Sequence, residues 1–429
     1  MSAAAPARRR ARATAIAIVL AAILAGCGSS GVVEGGNNAF SATTLTVYTV
    51  LPLLGPSGAL ATEIVNGEEL ALNEAGGHIG QFHVSLQELD DAADPVISAP
   101  VTPSDPLQVA NSAHAAASDL STIAYIGDLY SPATSISLPL NNENGILQLS
   151  PGSSYSGFTD RGPVAPRGGP GVWYLNGQRT FARLVPSDSV EAKAMAAYMS
   201  SLGVKRLDLL ADAENPPYDS AISQLVAADA PAQAIAIAGR HTAIATQAAA
   251  PSAYAKLAAA IAAEHPDAVL LGASPTAGTD ALFRELHAKL PKLRLFAPST
   301  LATPAFLDGL GAAAAATYVT SPMLEPDQYP PAAQAVFASY RRLFPGAAPS
   351  AYALYGYEAM EDVLSAIRLA GRYGAQRQHV VAAFFTRLGR RDGVLGPYTI
   401  NAAGDTSLAR FDGYRVGARG TLVLVRAIS

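Results

Sequence analysis

Cysteine is all but missing from this sequence. The single thiol, Cys27, precedes the folded region, so the chain from Leu45 onward can hold neither a disulfide nor a thiolate metal site. Charge is sparse too: Asp, Glu, Lys and Arg make up 15% of the residues, the net charge is −5, and the one basic run is Arg8 to Arg12. A nucleic-acid partner, which needs a basic face, is therefore not expected. No apolar run approaches the ~20 residues of an ordinary membrane-spanning helix. Catalytic signatures are also missing. The seven histidines are scattered without HExxH, and there is no GxSxG, no GxxxxGKS/T and no GxGxxG at the first strand–helix turn. These absences favour a binding module without catalytic residues, cofactor or metal. An amide hydrolase stays open as a weaker alternative, because catalytic groups can converge from distant positions.

Among the features present, the N-terminus speaks first. Arg8-Arg9-Arg10-Ala11-Arg12 is followed by the apolar stretch Ala13 to Ala25 and then by Gly26-Cys27, the layout of a secretory signal peptide over residues 1–26. The ending Leu24-Ala25-Gly26-Cys27 resembles the lipobox of bacterial lipoproteins, which implies a lipid on Cys27. Residues 27–44, rich in Gly, Ser and Asn, then form a flexible tether. The protein is expected outside the cytoplasmic membrane, held to it by the lipid anchor.

From Leu45 the chain alternates short apolar runs with helical segments, the pattern of parallel βαβ units. Its 50% hydrophobic content over 429 residues is ample for more than one core. Expected strands include Leu45–Val50, Phe82–Glu88, Ile123–Ile126, Ile146–Leu149, Arg206–Leu210, Ala268–Gly272 and Arg294–Ala297. Expected helices include Ala59–Ala75, Pro132–Asn142, Val190–Leu202, Ser220–Ala228, Thr279–Leu290 and Tyr352–Ala370. A Gly- and Pro-rich stretch, Thr159 to Gly177, separates two such series and suggests two similar lobes. The tail differs: Tyr398–Ile400, Phe411–Val416 and Thr421–Val425 look like hairpin strands.

The stretch Ile123 to Ser154 carries the strongest sign of a site. Two apolar strands end in small and hydroxyl residues, Gly127-Asp128-Leu129-Tyr130-Ser131 and Ser150-Pro151-Gly152-Ser153-Ser154. Between them Ser131 is placed to cap a helix with Pro132 in its first turn. Backbone N–H groups at a helix start, with hydroxyls beside them, suit a carboxylate, and ligands of open α/β sheets sit outside the carboxyl ends of strands. A Ser-Pro pair is also an ordinary way to begin a helix. Asp90, Asp91 and Asp94 admit a metal or acid–base cluster, or more simply a solvated turn at a strand end.

Taken in order, LPLLGPSG at Leu51–Gly58, DDAADP at Asp90–Pro95, YIGDLYSPAT at Tyr125–Thr134, NGILQLSPGSS at Asn144–Ser154 and RTFARLVPSD at Arg179–Asp188 resemble the branched-chain amino-acid-binding proteins of ABC uptake systems. The resemblance implies the type I periplasmic-binding-protein fold, in its lipoprotein form: an α/β architecture of two Rossmann-like lobes with parallel sheets joined by a three-strand hinge. Lobe 1 would comprise residues 45–182 and 322–393, and lobe 2 residues 183–321 and 394–429. By position, Ser131 and Ser154 match the hydroxyl donors to the ligand carboxylate and Gly152 the backbone position beside them, with Ser153 expected among the ligand-binding residues. Tyr218 matches a tyrosine that closes over the ligand, and Tyr352 an aromatic wall. Ser274 replaces an aromatic residue, and Ser299 stands where amino-acid binders place the acid that holds the ligand ammonium. The resemblance thus implies a carboxylate cradle without its ammonium anchor, with Asp128 as a substitute or a strand-end cap. Its implied partners are a small amino-acid-like, carboxylate or amide ligand and an ABC permease; a ligand-sensing receptor module is the alternative.

Overall fold

The computed structural model describes residues 43–92, 103–213, 215–243, 251–276 and 278–428. Cys27, the expected signal segment and most of the expected tether lie outside these residues, as does Asp94. Among the described residues no helix is long and apolar enough to cross a membrane.

The first series of elements is β1 (Thr44–Leu51), α1 (Gly58–Glu74), β2 (His78–Ile79), β3 (Phe82–Asp90), α2 (Pro106–Ser118), β4 (Thr122–Ile126), α3 (Ser131–Glu143), β5 (Leu147–Ser150) and β6 (Phe181–Arg183). The second is α4 (Asp188–Ser201), β7 (Arg206–Asp212), α5 (Tyr218–Asp229), β8 (Ala236–Ala243), α6 (Pro251–Ala263), β9 (Ala268–Gly272), α7 (Thr279–Lys289), β10 (Arg294–Ala297), α8 (Pro304–Gly309) and β11 (Thr317–Ser321). Then follow α9 (Pro331–Leu343), α10 (Ala351–Ala370), α11 (Arg377–Arg387), β12 (Arg391–Gly393), β13 (Gly396–Tyr398), β14 (Phe411–Val416) and β15 (Leu422–Ile428).

Two sheets result. The first runs β2-β3-β1-β4-β5-β6 and is parallel apart from β2. The second runs β15-β14-β11-β10-β9-β7-β8, parallel from β11 to β8 with two antiparallel strands added at one edge. Strands buried on both faces read as unbroken apolar runs, as in Val269–Leu271 and in Ile123–Ile126, whose one polar side-chain atom, the Tyr125 hydroxyl, is buried. One core joins the first sheet to α9, α10 and α11 through Leu45, Val84, Phe337, Leu354, Ile367 and Phe384. The second sheet has a core on each face, one with α4 and α5 and one with α6, α7 and α8. We call the bodies built on the first and second sheets lobe 1 and lobe 2.

The chain passes between the sheets three times, at 184–187, 322–330 and 399–410. The third passage is bonded to the end of β6, just before the first passage begins, since the Arg183 N–H donates to the Gly404 carbonyl at 2.9 Å. The expected alternation is present, and the tail departs from expectation in one respect. Phe411–Val416 and Leu422–Ile428 do pair as a hairpin. Tyr398 instead ends β13, which pairs back to β12, and Ile400 makes one isolated bridge to Thr406. Gly396, at φ 97°, makes the tight β12–β13 turn that a residue with a side chain resists, and it leaves Val394 and Leu395 buried in the first core.

Candidate functional site

The carboxyl ends of β4 and β5 in lobe 1 face those of β7, β9, β10 and β11 in lobe 2, and a cleft lies between them. It has two compartments, of about 30 and 40 Å³, both lined by Tyr130, Gly152, Ser154 and Thr300. A cavity needs only ~10–15 Å³ of such volume to hold a water. In this arrangement the cleft therefore has room for a few waters and none for an organic molecule.

The lobe 1 wall follows from the two strand ends. Tyr130, extended at φ −119° and ψ 146°, is the residue before α3, and Ser131 is the first helical residue. Ser131 is thus not the cap that its Ser-Pro pairing suggests. Its hydroxyl oxygen accepts from the Ser153 hydroxyl at 3.2 Å and from the Tyr155 N–H at 3.1 Å, which leaves its own proton free for the cleft. Gly152 lines the cleft, and a side chain there would run into the Leu129 carbonyl and side chain. Behind it, the Ser150 hydroxyl donates to the Asp128 carbonyl at 2.6 Å and accepts from the N–H groups of Gly152 and Ser153 at 3.2 and 2.8 Å. Ser153 itself is fully buried behind the wall, where it positions Ser131, while Ser154 faces the cleft.

Asp128 is turned away into lobe 1. Its carboxylate accepts from the Tyr125 hydroxyl at 2.8 Å, the Gln148 amide at 3.2 Å and the Ser137 hydroxyl, and burial pushes it up to about 6. It is no substitute anchor. Asp90 closes a turn by accepting from Leu53 and Ala92 N–H groups, both at 2.9 Å. Among the described residues no group of three or more His, Cys, Asp or Glu could hold a metal.

On the lobe 2 side, Tyr218 opens α5 and packs edge-on against Tyr155 at 5.0 Å, with Phe158 at 6.3 Å. Tyr155 and Phe158 flank the Gly- and Pro-rich stretch, whose Val164 and Tyr174 share a core with them. Ser274 lines the first compartment; Ser299 and Tyr352 line the second. The cleft thus gathers Ser131, Gly152, Ser154, Tyr218, Ser274, Ser299 and Tyr352, and leaves Ser153 behind its wall.

Sequence reasoning missed three acids on this wall: Asp188 and Glu191 in the first turn of α4 and Asp219 in the first turn of α5. Carboxylates there complement the positive helix ends, so in sequence they read as ordinary helix starts. The usable signal is the spacing of Asp188 and Glu191, three apart and hence on one helix face, directly after RTFARLVPS. Glu191 carries the most information. It is 2% exposed, and it accepts from the Ser299 N–H at 2.6 Å, the Ser299 hydroxyl at 2.7 Å and the Thr320 hydroxyl at 2.7 Å. Burial pushes its carboxyl up to about 7 against the pull of those bonds, and nearby Asp188 adds to the rise.

A stability effect follows. Between the ordinary carboxyl value of 4.5 and about 7, the native state keeps a proton on Glu191 that the unfolded chain has released. Stability is therefore fully present below the lower value and falls as pH rises through the upper one, by at most about 3 kcal/mol. Buried Asp128 and Asp362 are pushed up in the same sense, to about 6 and about 7. Urea denaturation from pH 5 to pH 8 should show the decline, and Glu191→Gln should make it shallower.

Residues 44–412 match the periplasmic binding protein family, and the chain belongs to that family. The fold is shared with a leucine-binding protein from Thermotoga maritima at a TM-score of 0.72 and 20% identity, over 90% of this chain and 98% of that one. The Streptococcus pneumoniae branched-chain amino-acid-binding protein crystallised with isoleucine is similar at 0.68 and 17% identity, over 90% and 99%. A solute-binding protein of an ABC transporter from R. palustris, crystallised with benzoate, is similar at 0.67 and 18% identity, over 90% and 96%. Among curated proteins no sequence matches. The two-lobed α/β architecture is thus that of type I periplasmic binding proteins.

Proposed function

We propose that this chain is the solute-binding lipoprotein of an ABC uptake transporter, capturing a small carboxylate-bearing ligand in the interlobe cleft and presenting it to a permease. Sequence draws the lobes as 45–182 with 322–393 and 183–321 with 394–429. Because β6 ends at Arg183, and Val394, Leu395 and Tyr398 pack in the first core, the boundaries would fall later, at 183 and 398. Cys27 would carry the lipid anchor. The observation that supports the reading best is the lobe 1 wall, where Ser131 offers a free hydroxyl proton beside the start of the 13-residue helix α3. A ligand carboxylate set there meets a donor and the positive end of the helix dipole. Binding proceeds by lobe closure, with no bond made or broken.

A thermal-shift panel on the whole chain tests this, using aliphatic and aromatic amino acids, their deaminated acids and the corresponding amides. At a hundred times its dissociation constant a ligand stabilises the native state by about 2.7 kcal/mol, a readily measured rise in melting temperature. The reading expects a shift from at least one carboxylate-bearing class. Shifts from amides alone would contradict it.

A further inference from the structure

The direction of the hydrogen bonds around the cleft says more about the ligand than the residue types do. A serine or threonine hydroxyl has one proton to give. Ser274 gives its proton to Asp219 at 2.6 Å, and Ser299 and Thr320 give theirs to Glu191, each at 2.7 Å. The Ser274 and Ser299 oxygens, which line the cleft, therefore turn lone pairs, not protons, towards it, while Thr320 lies behind them. Ser131 on lobe 1 is the opposite case, with two donors on its oxygen and its proton uncommitted. One wall of the cleft donates and the other accepts.

Glu191 is the centre of the accepting wall. It lines the cleft on lobe 2 and is 2% exposed. No basic side chain among the described residues forms an ion pair with it. Its oxygens offer about four lone-pair positions. Ser299 and Thr320 fill three of them. An ionised carboxyl buried here without a countercharge is costly, so in the empty cleft it tends to hold its proton, and a cation brought by the ligand would stabilise the ionised form.

We propose that Glu191, held in place by Ser299 and Thr320, receives a protonated amine of the ligand, so that the ligand spans the cleft with its carboxylate on Ser131 and its ammonium on α4. The serine at 299 then has a role of its own: it orients an acid reached from another helix, 108 residues earlier in the chain. This inference rests on the carboxylate-binding reading above and narrows the ligand to a zwitterion.

The test is a calorimetric titration of the whole chain with three matched probes: leucine, 4-methylpentanoate, which lacks the amine, and 3-methylbutylamine, which lacks the carboxylate. Wild-type protein should bind leucine at least about tenfold more tightly than either analogue, the scale of one hydrogen bond to a charged group. Glu191→Gln, a change of one atom, should remove most of that preference and leave 4-methylpentanoate within about threefold of its wild-type affinity. Ser299→Ala should weaken leucine less than Glu191→Gln does. A leucine affinity untouched by Glu191→Gln at an unchanged melting temperature overturns the assignment, and so does equal binding of leucine and its deaminated acid. Binding of the amine alone, with 4-methylpentanoate inert, would overturn the carboxylate reading while leaving Glu191 as the cation site. Silence of all three probes refutes the zwitterion proposal, whereas the wider panel still decides the carboxylate reading.

Discussion

Replacing Arg183 with Met is expected to cost about 3 kcal/mol or more of stability and to loosen the ligand cradle, because this one side chain ties the cradle to a passage between the lobes. Arg183 is wholly buried at the end of β6. Its guanidinium donates to the Ser153 and Tyr155 carbonyls at 3.1 and 2.9 Å, to the Thr159 hydroxyl at 2.7 Å and to the Asp405 carboxylate at 2.9 Å. Removing one partner of a buried ion pair costs about 3–5 kcal/mol, since the other groups are left without donors. The Asp405 side chain keeps 25% exposure, so part of that loss returns as hydration, and the lower end applies. Chemical denaturation of Arg183→Met measures the loss. Arg183→Lys should restore only part of it, because an ammonium cannot reach four acceptors arranged around a planar fork. A Met variant within 1 kcal/mol of wild type, on the scale of an ordinary exposed pair, would show that the network carries little.

The second large effect is expected at Gly356. Helices α1 and α10 approach so closely that a methyl group at Gly356 would overlap the Ile64 carbonyl, and one at Gly67 would overlap that of Ala353. The obstacles are backbone atoms, so no side chain can swing aside and the helices must separate. Overpacking of this kind costs about 1–3 kcal/mol and sometimes more. Gly356→Val should lie at or beyond the top of that range, and Gly67→Val should behave alike. On an exposed helix the opposite sign is expected, since Gly is about 1 kcal/mol worse than Ala in a helix interior. A melting temperature for Gly356→Ala at or above that of wild type would refute the close approach.

These two sites also mark how far the sequence could be read. Buried parallel strands announce themselves as apolar runs, and Ala268–Gly272 and Arg294–Ala297 have the bounds the pattern predicts. Strand β6 is three residues long and its last residue is Arg183, so no periodicity could reveal it. Gly67 and Gly356 look like helix weaknesses until the facing helix is known. Within the site, the clustering of hydroxyls at two strand ends was legible in Ser131, Gly152 and Ser154. The acceptor wall was not. Glu191 lies on α4 and Ser299 after β10, and no local pattern joins residues that meet only when the lobe folds.

The central claim is that a small ligand is held between the lobes, and Thr300 offers the most direct access to it. Thr300 is half-buried, sits in a short turn after β10 and borders both compartments of the cleft. Calorimetric titration with whichever probe shifts the melting temperature should give one site per chain in the wild type. The same titration of Thr300→Trp, whose indole would fill the cleft, should give no binding heat while the melting temperature without ligand stays close to that of wild type. Undiminished binding by Thr300→Trp would place the ligand outside the cleft and contradict the account.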